Sequence, residues 1–405
     1  MSVEVCKFLR RFGLIKKLID GSKQAFSQAR KRIKWEGYKH LNNIFVQRYY
    51  SDNELEKYKG KYVLIGVDGT TYELPYEQGL IDYFGVHDNG FDRPICMARG
   101  LKLYDLLNDV NLVALIEPYV SATDKGQSER ACFEKSLEEF TAIINTSEYS
   151  NEKIADMHDF LFVGDKYYPS IYNFYTLAEL GHHYVLRCRT NFCKEVTEFC
   201  KSDQNDAWIT IDLGIKHRKY INSVKRLAQK GAHPKAIKVR VIKKTLHNGE
   251  QLCLITNVSD LSHQEICEVY DKRWNEEVSF DTDKNKLEVE NFSSITPDGI
   301  HHDFHATILT ANIAQLVISE AQLRVDKQQA KKNNKHPYKI NRAVAIGLIK
   351  DEIPLFLLGQ QKSETWLEDM TVIVAQHKEP VRNNRSYKKK VKHKLKYPIT
   401  KRRTT

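Results

Sequence analysis

Apolar positions along this chain follow two rhythms. Between residues 62 and 118 they form short runs or alternations, from Tyr62 to Gly66 with Val67 following, then over 95–105 and 111–118, which predicts three strands. Residues 128–146 repeat at helical spacing, Phe160 to Val163 mark a strand over 159–164, and a helix near 170–180 precedes a strand near 183–190. The next seventy or so residues are partly β, in WITIDLGI, IKVRVIKK and QLCLITNV, before helices over 262–288 and 300–325. Upstream, residues 24–48 alternate apolar and basic positions with Phe26, Ile33, Tyr38, Leu41, Ile44 and Phe45 as the inner set. The last eighty residues mix a basic stretch, an apolar helix at INRAVAIGLI and a basic tail, and their pattern assigns them no role.

The order β-β-β-α-β-α-β is that of an RNase H-like α/β fold, in which the first and fourth strands lie side by side. The chain accordingly divides into an N-terminal helical domain (1–60), a first part of the core (61–190), a β-rich insertion (191–260), a second part of the core (261–330) and a C-terminal region with a basic tail (331–405).

Within the helix over 262–288, positions 270, 273, 277, 281, 284 and 288 step by three or four. Tyr270, Arg273, Glu277, Asp281, Lys284 and Glu288 therefore share one stripe, beside a weaker apolar set at Trp274, Val278, Leu287 and Phe292. A solvated face with an Arg–Glu pair is the simplest account of such a stripe. Two further carboxylates change that account. The run from Tyr62 delivers Asp68 into DGTTYELP, and the run 160–163 delivers Asp165 into GDKYYPS. An acid at the end of a buried strand is costly unless it caps a turn or binds something. In the fold inferred above the two aspartates are neighbours in space.

Charge adds a partner. Residues 1–40 carry +8 and residues 381–405 carry +11, so the net +11 of the chain leaves −8 for the rest, within which 214–245 again hold eleven bases and no acid. Basic islands around an acidic centre suit a protein that grips a polyanion by its flanks, and the basic helix near the N-terminus reads as DNA-binding. No stretch reaches the ~18 apolar residues of a membrane span, and a cytoplasmic protein without a membrane partner is expected. Eight cysteines include no C-x2-C pair, which argues for reduced thiols. His301, His302 and His305 lack a third ligand at metal spacing.

Asp68 in VDGTTYELP, Asp165 in FVGDKYYPS and the spacing Y-x2-R-x3-E-x6-K at Tyr270, Arg273, Glu277 and Lys284 together resemble the DDE transposases of the insertion-sequence-four family. SKQAFSQARKRIK and LEVENFSSITPDGIHHDFHATILTANIAQL are similar to family segments as well, so the resemblance spans roughly residues 20–325. It implies a bacterial, nucleoid-associated enzyme that binds the ends of an insertion sequence, cleaves them and joins the 3′ ends to target DNA, acting on double-stranded DNA as a homodimer. The catalytic and metal-binding residues it implies are Asp68, Asp165 and Glu277, holding two Mg²⁺ ions for which Mn²⁺ can substitute. Tyr270, Arg273 and Lys284 would hold terminal phosphates. Lys166 stands where family members often carry an arginine, and Glu276 precedes Glu277 where an apolar residue is common; the Y-R-E-K register selects Glu277. Trp274 is read either as core or as a platform for a displaced base. A structure-selective nuclease on the same fold, or a domesticated DNA-binding descendant, are the alternative readings.

Overall fold

The computed structural model describes residues 28–381, except 89–93, 120–127, 215–219, 247–248, 333–335 and 358–361. Phe26 and the basic tail lie outside the described residues.

One mixed sheet organises the molecule. Its central strand β1 (Tyr62–Glu73) pairs antiparallel with β3 (Ile95–Asp105), which also carries the short β2 (Val86–His87) and β4 (Asn111–Pro118). On its other side β1 runs parallel to β5 (Asp159–Gly164), and β5 runs parallel to β6 (His183–Cys188). The strands over 62–67 and 159–164 are thus neighbours, as expected. β1 is longer than its apolar run predicts: pairing with β3 continues from Ile65↔Asp105 to Glu73↔Met97, so Asp68 lies within a strand, not at its end.

The β-rich insertion is not a separate layer. Its strands β7 (Asp206–Asp212), β8 (Ala236–Thr245) and β9 (Gln251–Thr256) continue the core sheet, because β9 pairs antiparallel with β6 and satisfies an edge that would otherwise be left open.

Period-two alternation along β1 feeds two cores. Val63, Ile65 and Val67 face one cluster, whereas Tyr62 and Leu64 face another. The first is covered by α1 (Glu36–Asp52), α3 (Glu129–Asn145) and α5 (Ile171–Glu179), with Ile154 of the short helix α4 (Ile154–Met157), while α2 (Gln78–Phe84) packs Leu80 and Phe84 into a separate cluster with Cys96 and Phe304. Helices α6 (Lys194–Lys201) and α7 (Ile221–Gln229) belong to the insertion, and α8 (His263–Lys272) closes the second cluster.

Helix α1 turns inward only part of the face its apolar residues predict: Tyr38, Ile44 and Phe45 are half-buried, with Phe45 against the core. Ile33, just upstream of it, and Leu41 are exposed, while Asn42, Val46, Gln47 and Tyr50 are buried. Polar pairing decides the orientation: Gln47 Nε2 donates to the Ile143 carbonyl (3.0 Å), and the Tyr50 hydroxyl donates to Asp105.

The predicted helix over 262–288 is two helices. Helix α8 opens with a Ser262–Glu265 capping box and stops at Lys272, and α9 (Trp274–Asn285) follows after Arg273. The joint is a tightened turn, in which Arg273 N bonds the Tyr270 carbonyl (3.1 Å) and Glu276 N bonds the Arg273 carbonyl (3.0 Å).

Helix α10 (Pro297–Gln329) leads into a C-terminal unit of α11 (Arg342–Leu357), α12 (Ser363–Gln376) and the strand pair β10 (Tyr338–Ile340) and β11 (Lys378–Pro380). Val325, Ile349, Trp366 and Met370 give that unit a core of its own against α10. No helix among the described residues is long and apolar enough to cross a membrane.

Candidate active site

The parallel ladder between β1 and β5 ends at Val67↔Gly164. The next residue on each chain is an aspartate, Asp68 and Asp165. Asp68 Oδ1 accepts the Gly69 N–H (2.9 Å), and Asp165 Oδ1 accepts the Tyr167 N–H (2.7 Å). Burial pushes Asp68 up to about 6; Arg273 is the largest counterweight, and the charges of Asp165 and Glu129 add to the rise.

Arg273, at the α8–α9 joint, connects this pair to the third predicted carboxylate. Its Nη2 donates to Glu277 Oε1 (2.7 Å), and its Nη1 lies 3.7 Å from Asp68 Oδ2. Burial works against the guanidinium charge, but Glu277, Tyr270 and Asp68 more than offset it and its pKa is raised. Glu277 is therefore one guanidinium away from the aspartates. Among the described residues no three His, Cys, Asp or Glu side chains are grouped closely enough to hold a metal ion. The donor chemistry nevertheless fits a hard divalent cation: carboxylates surround a single cationic group, and Asp68 suffers the like-charge repulsion that such an ion relieves.

Neighbouring glutamates on α9 meet opposite surroundings. Glu277 faces outward onto Arg273, while Glu276 is fully buried against β1 and neither of its carboxylate oxygens completes a hydrogen bond. It fits because residue 66 is glycine: a Cβ there would stand 2.5 Å from Glu276 Oε2 and 2.7 Å from Leu106 Cδ2. Burial first, then the Asp68 charge, drive the Glu276 carboxyl well above its ordinary range.

The rest of the inward face of α9 is mostly polar too, so of the predicted apolar set Trp274 and Val278 face solvent, while Leu287 and Phe292, beyond the end of the helix, are buried. Ser279 and Asp283 are buried and both bond Lys102 Nζ (2.6 Å each), a fully buried ammonium from β3 that also sits over the Phe280 ring at 4.3 Å. Trp274 and Val278 point outward, 59% and 48% exposed. Polar residues face inward because β3 provides the cation that satisfies them.

Of the remaining predicted residues, Tyr270 is buried with the Arg273 guanidinium 6.0 Å from its ring centroid. Lys284 Nζ donates to the Thr71 carbonyl on β1 (2.7 Å) and lies 3.6 Å from Glu290. Lys166 is exposed above the Tyr167 ring. His301 and His305 stack on Trp35, with centroid distances of 4.6 and 5.0 Å, inside an aromatic cluster remote in kind from a metal site.

Sequence reasoning missed Lys102, Glu129 and Arg130. Lys102 carries a signal, a charge between two leucines in the strand segment ARGLKLYD. Glu129 and Arg130 follow the Ser128 cap and look like an ordinary helix start. In the structure Glu129 Oε1 accepts the Tyr168 hydroxyl (2.6 Å), and Arg130 reaches the carbonyls of Tyr167 (2.7 Å) and Pro169 (3.3 Å).

Residues 120–313 match the family model described as Transposase DDE domain. The match covers a little under half of the chain and includes Asp165, Tyr270, Arg273, Glu277 and Lys284. It begins after Asp68, which follows the last paired residue of β1 in the β1–β5 ladder. Among solved structures, the cryo-EM structure of the piggyBac transposase synaptic complex with hairpin DNA is similar, at 9% identity and a TM-score of 0.40, over 77% of this chain and 57% of that one. The chain thus spans less than two thirds of that protein's length. No curated protein matches the chain.

Proposed function

We propose that the chain is a DNA transposase that binds the ends of an insertion sequence, cleaves them by divalent-metal-dependent phosphodiester hydrolysis and joins the 3′ ends to target DNA. The observation that carries this reading is the Arg273 guanidinium between Asp68 and Glu277, with Asp165 beside Asp68 at the end of the β1–β5 ladder. The match of residues 120–313 to a transposase DDE domain supports it independently.

Asp68, Asp165 and Glu277 would hold Mg²⁺ or Mn²⁺, which when bound supplies charge neutralisation at phosphorus and an activated attacking oxygen. Arg273 offers a planar, bidentate grip on a phosphate that a lysine cannot match. Lys284 lies seven residues past Glu277, about 10 Å down the helix axis at ~1.5 Å per residue, and would meet a different phosphate. Tyr270 backs the Arg273 plane, Lys166 extends the positive edge at the Asp165 loop, and Trp274 offers an exposed ring for stacking. Two chains would act together on paired double-stranded ends.

The test is a cleavage assay on end-sequence duplex with Mg²⁺. Free 3′ hydroxyls should appear with the wild type and not with Asp165→Asn, while both bind the duplex equally. Intact DNA under conditions of tight binding by the wild type would rule the proposal out.

A further inference from the structure

Hydrogen-bonded strand pairing cannot fix the distance between Asp68 and Asp165, because the β1–β5 ladder stops one residue before each of them. Past that point β5 ends and the chain turns through Lys166, Tyr167 and Tyr168. Something else must hold the two carboxylates together, and the first turn of α3 is in place to do so.

Glu129 touches both aspartate segments. Its side chain lies over Gly69, the residue after Asp68, so closely that a Cβ there would stand 2.8 Å from Glu129 Oε1 and 3.0 Å from its Cγ. The same Oε1 accepts the hydroxyl of Tyr168, three residues after Asp165. Tyr168 is fully buried, its ring edge-on to Phe133 of α3 at 5.4 Å, and its carbonyl accepts Asn173 Nδ2 (2.7 Å), so it cannot drift without disturbing the core. Arg130 completes the hold by donating to carbonyls on either side of Tyr168. Asp165 is tied to the same short loop through the Tyr167 N–H.

We propose that the Glu129–Tyr168 hydrogen bond is a latch that sets the spacing of Asp68 and Asp165, which makes Glu129 and Tyr168 positioning residues for the reaction, with Arg130 as their brace. The latch acts through geometry, and the glutamate charge is not what it requires. It rests on the reading of Asp68 and Asp165 as metal ligands.

Mn²⁺ titration of the full chain without DNA, followed by the electron paramagnetic resonance signal of the free ion, separates the two ideas. Asp165→Asn should sharply weaken Mn²⁺ binding. Tyr168→Phe and Glu129→Ala should each weaken it about tenfold, the lower end of what loss of a ligand-orienting partner costs. The double variant should be no worse than either alone, because both remove one bond. Glu129→Gln keeps an oxygen acceptor for the Tyr168 hydroxyl and should stay within about twofold of wild type. Thermal melts identify any variant that fails to fold, in which case the Glu129→Gln and Glu129→Ala comparison decides.

Wild-type affinity in Glu129→Ala, additive losses in the double variant, or a Glu129→Gln as weak as Glu129→Ala would each overturn the latch while leaving the metal reading intact. Absent Mn²⁺ binding by the wild type, or binding indifferent to Asp165→Asn, overturns the metal reading and the latch with it.

Discussion

Helices α3 and α9 both pack near Asp68, yet they bury opposite chemistry. Helix α3 turns Cys132, Phe133, Leu137, Phe140, Ile143 and Ile144 inward, an ordinary apolar stripe with Ser136 as its one buried polar residue. Helix α9 buries Glu276, Ser279, Thr282 and Asp283 with only Phe280 among them, and leaves Trp274 and Val278 in solvent. Burial of apolar area, at ~25 cal/mol per Å², anchors α3 non-directionally. Lys102 anchors α9 through bonds of fixed direction, which constrains where Glu277 and Arg273 stand as well as how strongly the helix is held. The helix that would carry the chemistry is the one whose seat is polar.

The largest effects should come from attacking each anchor in turn. Phe140→Ala opens a cavity in the core under α3 and should cost about 3–5 kcal/mol. Lys102→Met leaves Asp283 buried beside an apolar side chain and should cost a similar ~3–5 kcal/mol. The difference lies in rescue. Adding Asp283→Leu to Lys102→Met removes the stranded charge and should recover most of the loss, as replacing a buried ion pair with apolar groups often does. Urea unfolding of the three variants and the wild type is the measurement. A Lys102→Met variant within about 1 kcal/mol of wild type would show that the polar seat of α9 contributes little.

This contrast also explains what the sequence makes legible. The strands over 95–105, 111–118 and 159–164 and the helix near 128–146 follow from apolar periodicity, because water-avoiding side chains decide their orientation. Helix α9 and the face of α1 do not, since Lys102, Asn42 and Gln47 override periodicity through bonds to distant residues, 181 positions away for Lys102 to Asp283 and 270 for Asn42 to Asn312. Periodicity on one element carries no information about a polar partner on another. The joining of β9 to β6 was hidden for a related reason: apolar runs identify strands without naming their neighbours. Asp68, Asp165, Glu277 and Arg273 were legible as candidates, while Glu129, which contacts the segments of both aspartates, had only the look of a helix cap.

A smaller effect should sharpen the electrostatic side of the comparison. Asp68 titrates near 6 in the folded chain against an ordinary value of 3.8. Because its folded value is raised, the unfolded chain releases the proton first. Wild-type stability without metal therefore falls as pH rises from about 4 to about 6 and stays low above that. A shift of this size corresponds to roughly 3 kcal/mol. Asp68→Asn should consequently stabilise the metal-free protein by up to ~3 kcal/mol at pH 7 and by almost nothing below pH 4, while eliminating cleavage. Denaturation curves of the two proteins at pH 3.5, 5 and 7 test the trend, and a stability difference that does not grow with pH would refute the burial argument.

The smallest change in stability is expected at Trp274. A tryptophan at the start of α9 would ordinarily belong to the core, and its truncation would then cost about 3–5 kcal/mol. At 59% exposure, with Val278 exposed one turn further on, there is little packing to lose, so Trp274→Ala should shift stability by no more than ~0.5 kcal/mol. If the ring stacks on a base near the cleaved end, the same substitution should weaken binding of end-sequence duplex by about 1–3 kcal/mol at fixed salt. Trp274→Phe should retain part of that affinity, since a smaller aromatic face still stacks. Equal affinity of wild type and Trp274→Ala for the duplex would leave this exposed ring without a nucleic-acid role, and a stability loss of several kcal/mol would return it to the core and undo the contrast between the two helices.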